Sequence, residues 1–198
     1  MVAALICVAM AAGCASSSSS SSSPASSASS SSPAAAGGTT APAPPATSQS
    51  PAGGGPLACA TSDLKVTLGA PNGYAGGVYE TIVFTNTSGA ACSLYGYPGV
   101  SLVSAPPYTQ IGLAAKRSAT VPVKLIVLAS GTSASAVLQV VDALNFGPST
   151  CGPTKAAFLR VYPPNQTVPV YLANQSEICA QPVQTLFISA VQAGSGSS

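Results

Sequence analysis

The sequence predicts an all-β fold, an antiparallel immunoglobulin-like β-sandwich that follows a disordered Ser/Ala/Pro linker. Three observations support this prediction. Apolar and polar residues alternate in many short segments, turn residues separate these segments roughly every eight to twelve residues, and no long helical period with caps is present. A β-barrel is the second architecture that such a pattern allows.

The clearest strand signal lies in residues 82–100. Ile82 and Phe84 alternate with less apolar neighbours, which is the period of a strand with two different faces. Residues 86–89 have Asn first and Gly last, as a type I turn prefers, and the apolar pattern resumes after them. Residues 97–99 have the Pro-Gly order of a type II turn. We therefore predict a β-hairpin around the first of these turns.

Alternation and turn residues predict the remaining strands in chain order. Residues 69–77 and 143–154 are rich in Gly, Pro and Asn and are predicted to be loops. The predicted strands and short extended segments are 64–68, 78–85, 92–94, 100–104, 109–113, 118–128, 133–141, 157–162, 168–172 and 183–191.

The string FTNTSGAACSLYGYPGV, residues 84–100, resembles the core motif of actinobacterial secreted proteins that carry the domain of unknown function numbered 4232. Cys151, the run at 160–164 and Cys179 fit the same pattern, so that the resemblance covers roughly residues 57–192. It implies an exported β-sandwich, often behind a lipoprotein signal. It implies no known activity, and therefore no functional residues.

Composition divides the chain into four parts. Residues 1–13 are predicted to be a lipoprotein signal peptide, because an apolar run is followed by Ala11-Ala12-Gly13-Cys14, which looks like a lipobox. No Lys or Arg precedes the apolar run, so either the natural start lies upstream or the signal has a weak first region. Residues 14–56 would be the lipidated Cys14 and a disordered linker, 57–193 the β-sandwich, and 194–198 a disordered tail. We expect a lipid-anchored protein on the extracellular face of the cell membrane.

Charged side chains are scarce, with 6 Lys+Arg, 4 Asp+Glu and no His. Nucleic acid is not an expected partner, since its binding needs clustered cations. A Ser nucleophile would lack a His base. A carboxylate pair for glycoside hydrolysis could come only from four side chains: Asp63, Glu80, Asp142 and Glu177. Asp63 and Asp142 are predicted to lie at solvated strand ends, Glu80 is predicted to face out beside Tyr79, and Glu177 is predicted to lie in a loop. We expect neither catalysis nor a cofactor.

Four cysteines remain after the signal peptide and Cys14 are set aside. An exported protein favours disulfide bonds over free thiols, and a metal site would want CxxC spacings or His partners, which the sequence lacks. Three connectivities are available. We favour Cys59–Cys92 and Cys151–Cys179, because each pair straddles an adjacent strand or loop.

Tyrosines are the other distinctive group, seven against four Phe. Tyr74 and Tyr108 fall in predicted loops and Tyr97 flanks the Pro-Gly corner, so these three are candidate ligand contacts. The alternative, which is the more ordinary role and the one we favour, is corner packing with the hydroxyl bonded to backbone.

Three functions stay open from the sequence. The first is a binding module for a wall glycan, a surface protein or a small apolar ligand, and we expect it to be a monomer. The second is a passive structural protein of the envelope. The third is a hydrolase, which two carboxylates about 5–10 Å apart in a cleft would favour.

Overall fold

The computed structural model describes residues 55–196, and within this range the chain is all-β, as predicted. Its helical pieces are single turns: 3-10 turns at Thr61–Asp63 and Ala143–Asn145, and α1, Pro148–Cys151. The strands are β1 Leu64–Leu68, β2 Asn72–Tyr74, β3 Gly77–Asn86, β4 Cys92–Tyr95, β5 Gly99–Val103, β6 Lys116–Ser118, β7 Leu125–Leu128, β8 Ser133–Val141, β9 Pro153–Lys155, β10 Phe158–Tyr162, β11 Val170–Ala173, β12 Glu177–Cys179, β13 Leu186–Ser189 and β14 Gln192–Ala193.

The largest sheet has seven strands and is built around the long strands β3 and β8. Its order is β1-β3-β8-β13-β6, with β2 paired to β3 and β14 paired to β8. All pairs are antiparallel except β13 with β6, which is parallel. The prediction of one strand over residues 118–128 is wrong, because β6 belongs to this sheet and β7 belongs to another. Pro122 lies between them, and its missing N–H interrupts a continuous ladder.

The other strands of the described residues form three smaller sheets: β11-β10-β5, β12-β9 and β4-β7. The hairpin predicted within residues 82–100 is wrong, because β3 and β4 lie in different sheets. The buried side chain of Asn86 explains this, since its Nδ2 donates to the Ala90 carbonyl at 2.8 Å and to the Leu128 carbonyl at 3.0 Å. These bonds turn the chain at the end of β3 toward β7.

One hydrophobic core joins the inner faces of the large sheet, β4-β7 and β11-β10-β5. Ile82 and Phe84 of β3 contribute to it, together with Leu102 of β5, Leu138 of β8 and Leu159 of β10, all fully buried. Each such side chain stabilises the fold by about 1.5–3 kcal/mol relative to an exposed position. The sheets therefore pack as layers on a common interior.

Two loop predictions also need correction. The predicted 69–77 loop contains strand β2, and the 143–154 loop contains two helical turns and the start of β9. The type II turn at 97–99 is wrong, because it would require a left-handed Gly99. Gly99 instead begins β5, and the left-handed residue is Gly96, with φ 98°.

No helix in the described part of the chain is long and apolar enough to cross a membrane.

The structure forms both predicted disulfide bonds. Cys59–Cys92 ties the first described residues to β4 and belongs to the main core. Cys151–Cys179 joins α1 to β12, in a small separate cluster with Ala143.

Candidate functional site

Tyr74, one of the predicted contact residues, lines a cleft of about 390 Å³. It lies where β2, the start of β3 and the end of β8 meet the segment before β12. Its lining residues are Tyr74, Gly76, Gly77, Val78, Val140, Asp142, Ser176 and Glu177. The cleft therefore combines an aromatic wall, an apolar floor and two carboxylates.

Tyr74 is held in place by its neighbours on the large sheet. Its hydroxyl accepts a hydrogen bond of 2.9 Å from Gln139 Nε2, and its ring centroid lies 4.6 Å from that of Tyr79. Gly77 allows this close packing: a Cβ there would lie 2.1 Å from the Val140 carbonyl oxygen and 2.8 Å from the Tyr74 hydroxyl. The local fold thus fixes Tyr74 at the boundary between the cleft and the outer sheet face.

The two carboxylates of the cleft are both exposed, and that of Asp142 is engaged in local structure. Asp142 Oδ1 accepts a hydrogen bond of 2.9 Å from the Leu144 N–H and so caps the 3-10 turn at Ala143–Asn145. Glu177 lies in β12, not in a loop as predicted, and opposes Lys155 of β9. The structure brings these two residues into one cleft, which their separation in sequence did not indicate.

Glu80 does not face out beside Tyr79, so that prediction is wrong. Only 8% of Glu80 is exposed, and both its carboxylate oxygens accept from Asn174 Nδ2, at 3.0 and 2.9 Å. Desolvation by burial raises the pKa of Glu80, and the Asn174 hydrogen bond lowers it in part. Asn174 Oδ1 in turn accepts from the backbone N–H and hydroxyl of Ser176, which lines the cleft. A buried polar chain thus runs from Glu80 to the cleft wall.

Tyr97, the second predicted contact, lies in the loop between β4 and β5. The Cζ atom of Arg117 is 5.4 Å from its ring centroid, in cation–π geometry. Tyr97 and Arg117 line a groove of about 260 Å³ together with Tyr95 and Val123. This groove shares no lining residue with the Tyr74 cleft.

Tyr108, the third predicted contact, packs within the protein surface. Its ring stacks on Tyr171 with centroids 4.1 Å apart and meets the Phe158 ring edge-on at 5.5 Å. Tyr108 has a positive φ of 63°, and its backbone N–H donates to the Ala105 carbonyl at 3.1 Å. The ring contacts agree with the packing part of the corner role. The three predicted tyrosines are thus in three places, and no two of them line the same described concavity.

A further surface, which the sequence reasoning missed, lies on the outer face of the large sheet. Tyr79 of β3 pairs with Gln139 of β8, and Gln139 pairs with Phe187 of β13, so an amide lies between two aromatic rings. Tyr79 is 39% exposed. These three residues and four uncharged neighbours line a shallow depression of about 90 Å³; the neighbours are Ser118, Thr120, Val137 and Ser189. We call this surface the neutral face.

Metal ligation finds no support in the described residues. No group of three or more Cys, Asp or Glu side chains there could hold a metal ion, and the four described cysteines form disulfides. The fold and its covalent links define a disulfide-crosslinked, all-β domain with shallow, polar and aromatic surfaces.

The chain belongs to the family described as Domain of unknown function (DUF4232), whose model matches residues 59–192. The matched range begins at the first cysteine of the Cys59–Cys92 bond and includes all four disulfide cysteines. No curated protein and no solved structure matches the chain.

Proposed function

We propose that this chain is a non-catalytic binding module of the cell envelope, which binds an uncharged wall glycan on its neutral face. The observation that carries the proposal is the row of Tyr79, Gln139 and Phe187 across three neighbouring strands. Aromatic rings offer large rigid contact area, and a neutral amide both donates and accepts hydrogen bonds.

The geometry of this row suits a linear sugar chain. Tyr79 and Phe187 are two strands apart, which corresponds to about 10 Å across a sheet. That span suits two rings along a glycan, whose apolar faces can lie on the aromatics while hydroxyl groups bond to Gln139. The lining of the depression contains no charged residue, and at its edge the exposed Lys116 of β6 pairs with Phe187, where an ammonium group can donate hydrogen bonds to sugar hydroxyls.

Two features support placing the domain outside the cell, attached to lipid. Disulfide bonds persist in oxidising compartments, and the described domain has two of them. Residues 11–14 have the sequence of a lipobox, and acyl chains on Cys14 would anchor the protein stably. Residues 1–54, with Cys14, the signal peptide and most of the linker, lie outside the described residues. We further infer that the packed sheets form an immunoglobulin-like sandwich.

A hydrolase is the second candidate, favoured by Asp142 and Glu177 lining one cleft. A general acid needs a carboxyl group whose environment keeps its proton, as burial does. Both cleft carboxylates are exposed, whereas the buried Glu80 is bonded to Asn174 and does not line the cleft. Neither carboxyl group of the cleft therefore has the surroundings of a general acid, which favours a binding function over a catalytic one.

Co-sedimentation with purified cell-wall polysaccharide tests the proposal. The full chain carrying Cys14→Ser, which cannot be lipidated, should bind the insoluble polysaccharide, and Tyr79→Ala should weaken binding about tenfold, the loss expected for one aromatic contact. Tyr95→Ala is the matched control, since Tyr95 is 54% exposed on another surface. Equal loss in both variants would contradict the proposed site. Absence of binding would favour the passive structural role, and release of soluble sugar that Glu177→Gln abolishes would favour the hydrolase.

A further inference from the structure

A second distinctive surface is the outward side of the small β4-β7 sheet. Cys92 and Leu94 of β4 point into the core, so Tyr95 points outward. Tyr95 opposes Leu125 in the strand register, and their exposed fractions are 54% and 59%. Val127 and Val123 are also exposed, at 51% and 37%. We call these four residues the apolar face.

The preceding chain joins the domain beside this face. Ser93, the other outward residue of β4, donates from its hydroxyl to the Pro56 carbonyl at 2.9 Å, and its N–H donates to the Leu57 carbonyl at 2.8 Å. Residues 1–54 therefore connect to the domain at the edge of the apolar face. If acyl chains on Cys14 hold the protein at a bilayer, the tether enters on the side where these apolar side chains are exposed.

One exposed cation borders the apolar face. Arg117 lines the groove that contains Tyr95 and Val123, whereas Lys124 lines a separate hollow of about 350 Å³ with Ile126, which packs against the core. All four Asp and Glu side chains of the chain are among the described residues, and none lines the groove beside Arg117. The face is therefore apolar at its centre and positive at one margin.

We propose that the apolar face docks on the surface of an anionic lipid bilayer. Exposed apolar side chains flanked by cations are the pattern of interfacial membrane binding, and tyrosine is favoured at the boundary between lipid and water. Anionic lipids attract each nearby Lys or Arg. A second copy of the chain fits less well, because a two-fold contact would cover Arg117 of both copies in an interface whose groove offers no carboxylate partner. The proposal goes beyond the glycan-binding role and does not depend on it.

Vesicle co-sedimentation of the chain from residue 14 onward, with Cys14→Ser, tests this docking, because this variant carries neither attached lipid nor the apolar run at residues 2–10. Vesicles of phosphatidylcholine with 30% phosphatidylglycerol should bind the protein, and vesicles of pure phosphatidylcholine should bind it much less. Arg117→Gln should lower partitioning to the anionic vesicles about fivefold. Leu125→Ser should lower it on vesicles of either composition.

The matched control variants change residues that do not line the groove beside the apolar face. Lys155→Gln removes an exposed cation on β9, and Leu144→Ser removes an apolar side chain that is 76% exposed next to the Tyr74 cleft; both should bind as the parent does. Equal binding to the two vesicle compositions, or equal losses in the control variants, would overturn the proposal. Sedimentation equilibrium showing a dimer that Leu125→Ser dissociates would also overturn it, in favour of a contact between copies. Thermal unfolding of every variant verifies that it is folded.

Discussion

The two disulfide bonds should contribute nearly equal stability although they lie in different surroundings. Their sequence separations are 33 and 28 residues, and the chain-entropy relation gives about 3.7 and about 3.6 kcal/mol for closing loops of these lengths. The perturbations are the double variants Cys59→Ala/Cys92→Ala and Cys151→Ala/Cys179→Ala. In a domain of this size each should lower Tm by roughly 10–15 °C.

The two double variants should still differ in the stability they lose, because the two disulfide bonds have different surroundings. Cys59 and Cys92 belong to the main core, whereas Cys151 and Cys179 lie in the small cluster beside Ala143. Alanine at the first pair therefore leaves unfilled space among more core side chains, and that double variant should be the less stable of the two.

Circular dichroism during thermal and guanidinium unfolding measures these differences. Reducing agent added to the parent protein should lower Tm at least as far as the less stable double variant. Leu144→Ala is a control at a position that is 76% exposed, and it should change Tm little. If neither double variant lowers Tm by more than about 4 °C, the chain-entropy reasoning fails for this domain.

Two further predictions concern the residues around the Tyr74 cleft. The pKa of Glu80 is raised above its ordinary 4.5, so the stability contributed by its neutral form is fully present below pH 4.5 and is lost as pH rises through the raised pKa. Glu80→Gln cannot ionise; the stability of the parent relative to this variant should therefore fall between pH 4 and pH 7 in urea titrations, and an equal difference at both pH values would contradict the burial argument. Gly77→Ala would place a Cβ 2.1 Å from the Val140 oxygen, and we expect a loss of about 2 kcal/mol or more with a changed near-ultraviolet signal from Tyr74. Gly73→Ala, where nothing lies within 4 Å, should cost less than about 1 kcal/mol, and similar losses in both variants would show that the close approach is not the cause.

Alternation in the sequence was sufficient to predict β3 and β8, but it could not identify their partners. A period of two says which face a side chain occupies, and nothing about which strand lies beside it. The wrong hairpin between β3 and β4 follows from this limit, because the side chain of Asn86 decides the direction of the chain by bonding to Leu128, 42 residues away.

The candidate sites show the same division between local and long-range information. The inward position of Glu80 was available from the sequence, since it shares the parity of Ile82 and Phe84, but its charge suggested an outward position. Its partner Asn174 is 94 residues away and carries no periodic signal. Tyr74 was identified as a candidate ligand contact because it is a tyrosine in a predicted loop. Its hydrogen bond to Gln139 could not be predicted in this way, because the bond depends on the pairing of β3 with β8 and β2.

The position of the Cys59–Cys92 bond determines how the domain would respond to tension on its N-terminal side. A pull applied through residue 55 passes only a few residues before it reaches Cys59, and the covalent bond then carries the load to Cys92. Residues 60–91, which include β1, β2 and β3, are bypassed by that load path. While this bond is intact, a pull from the N-terminal side could therefore not extend the segment that carries Tyr74 and Tyr79.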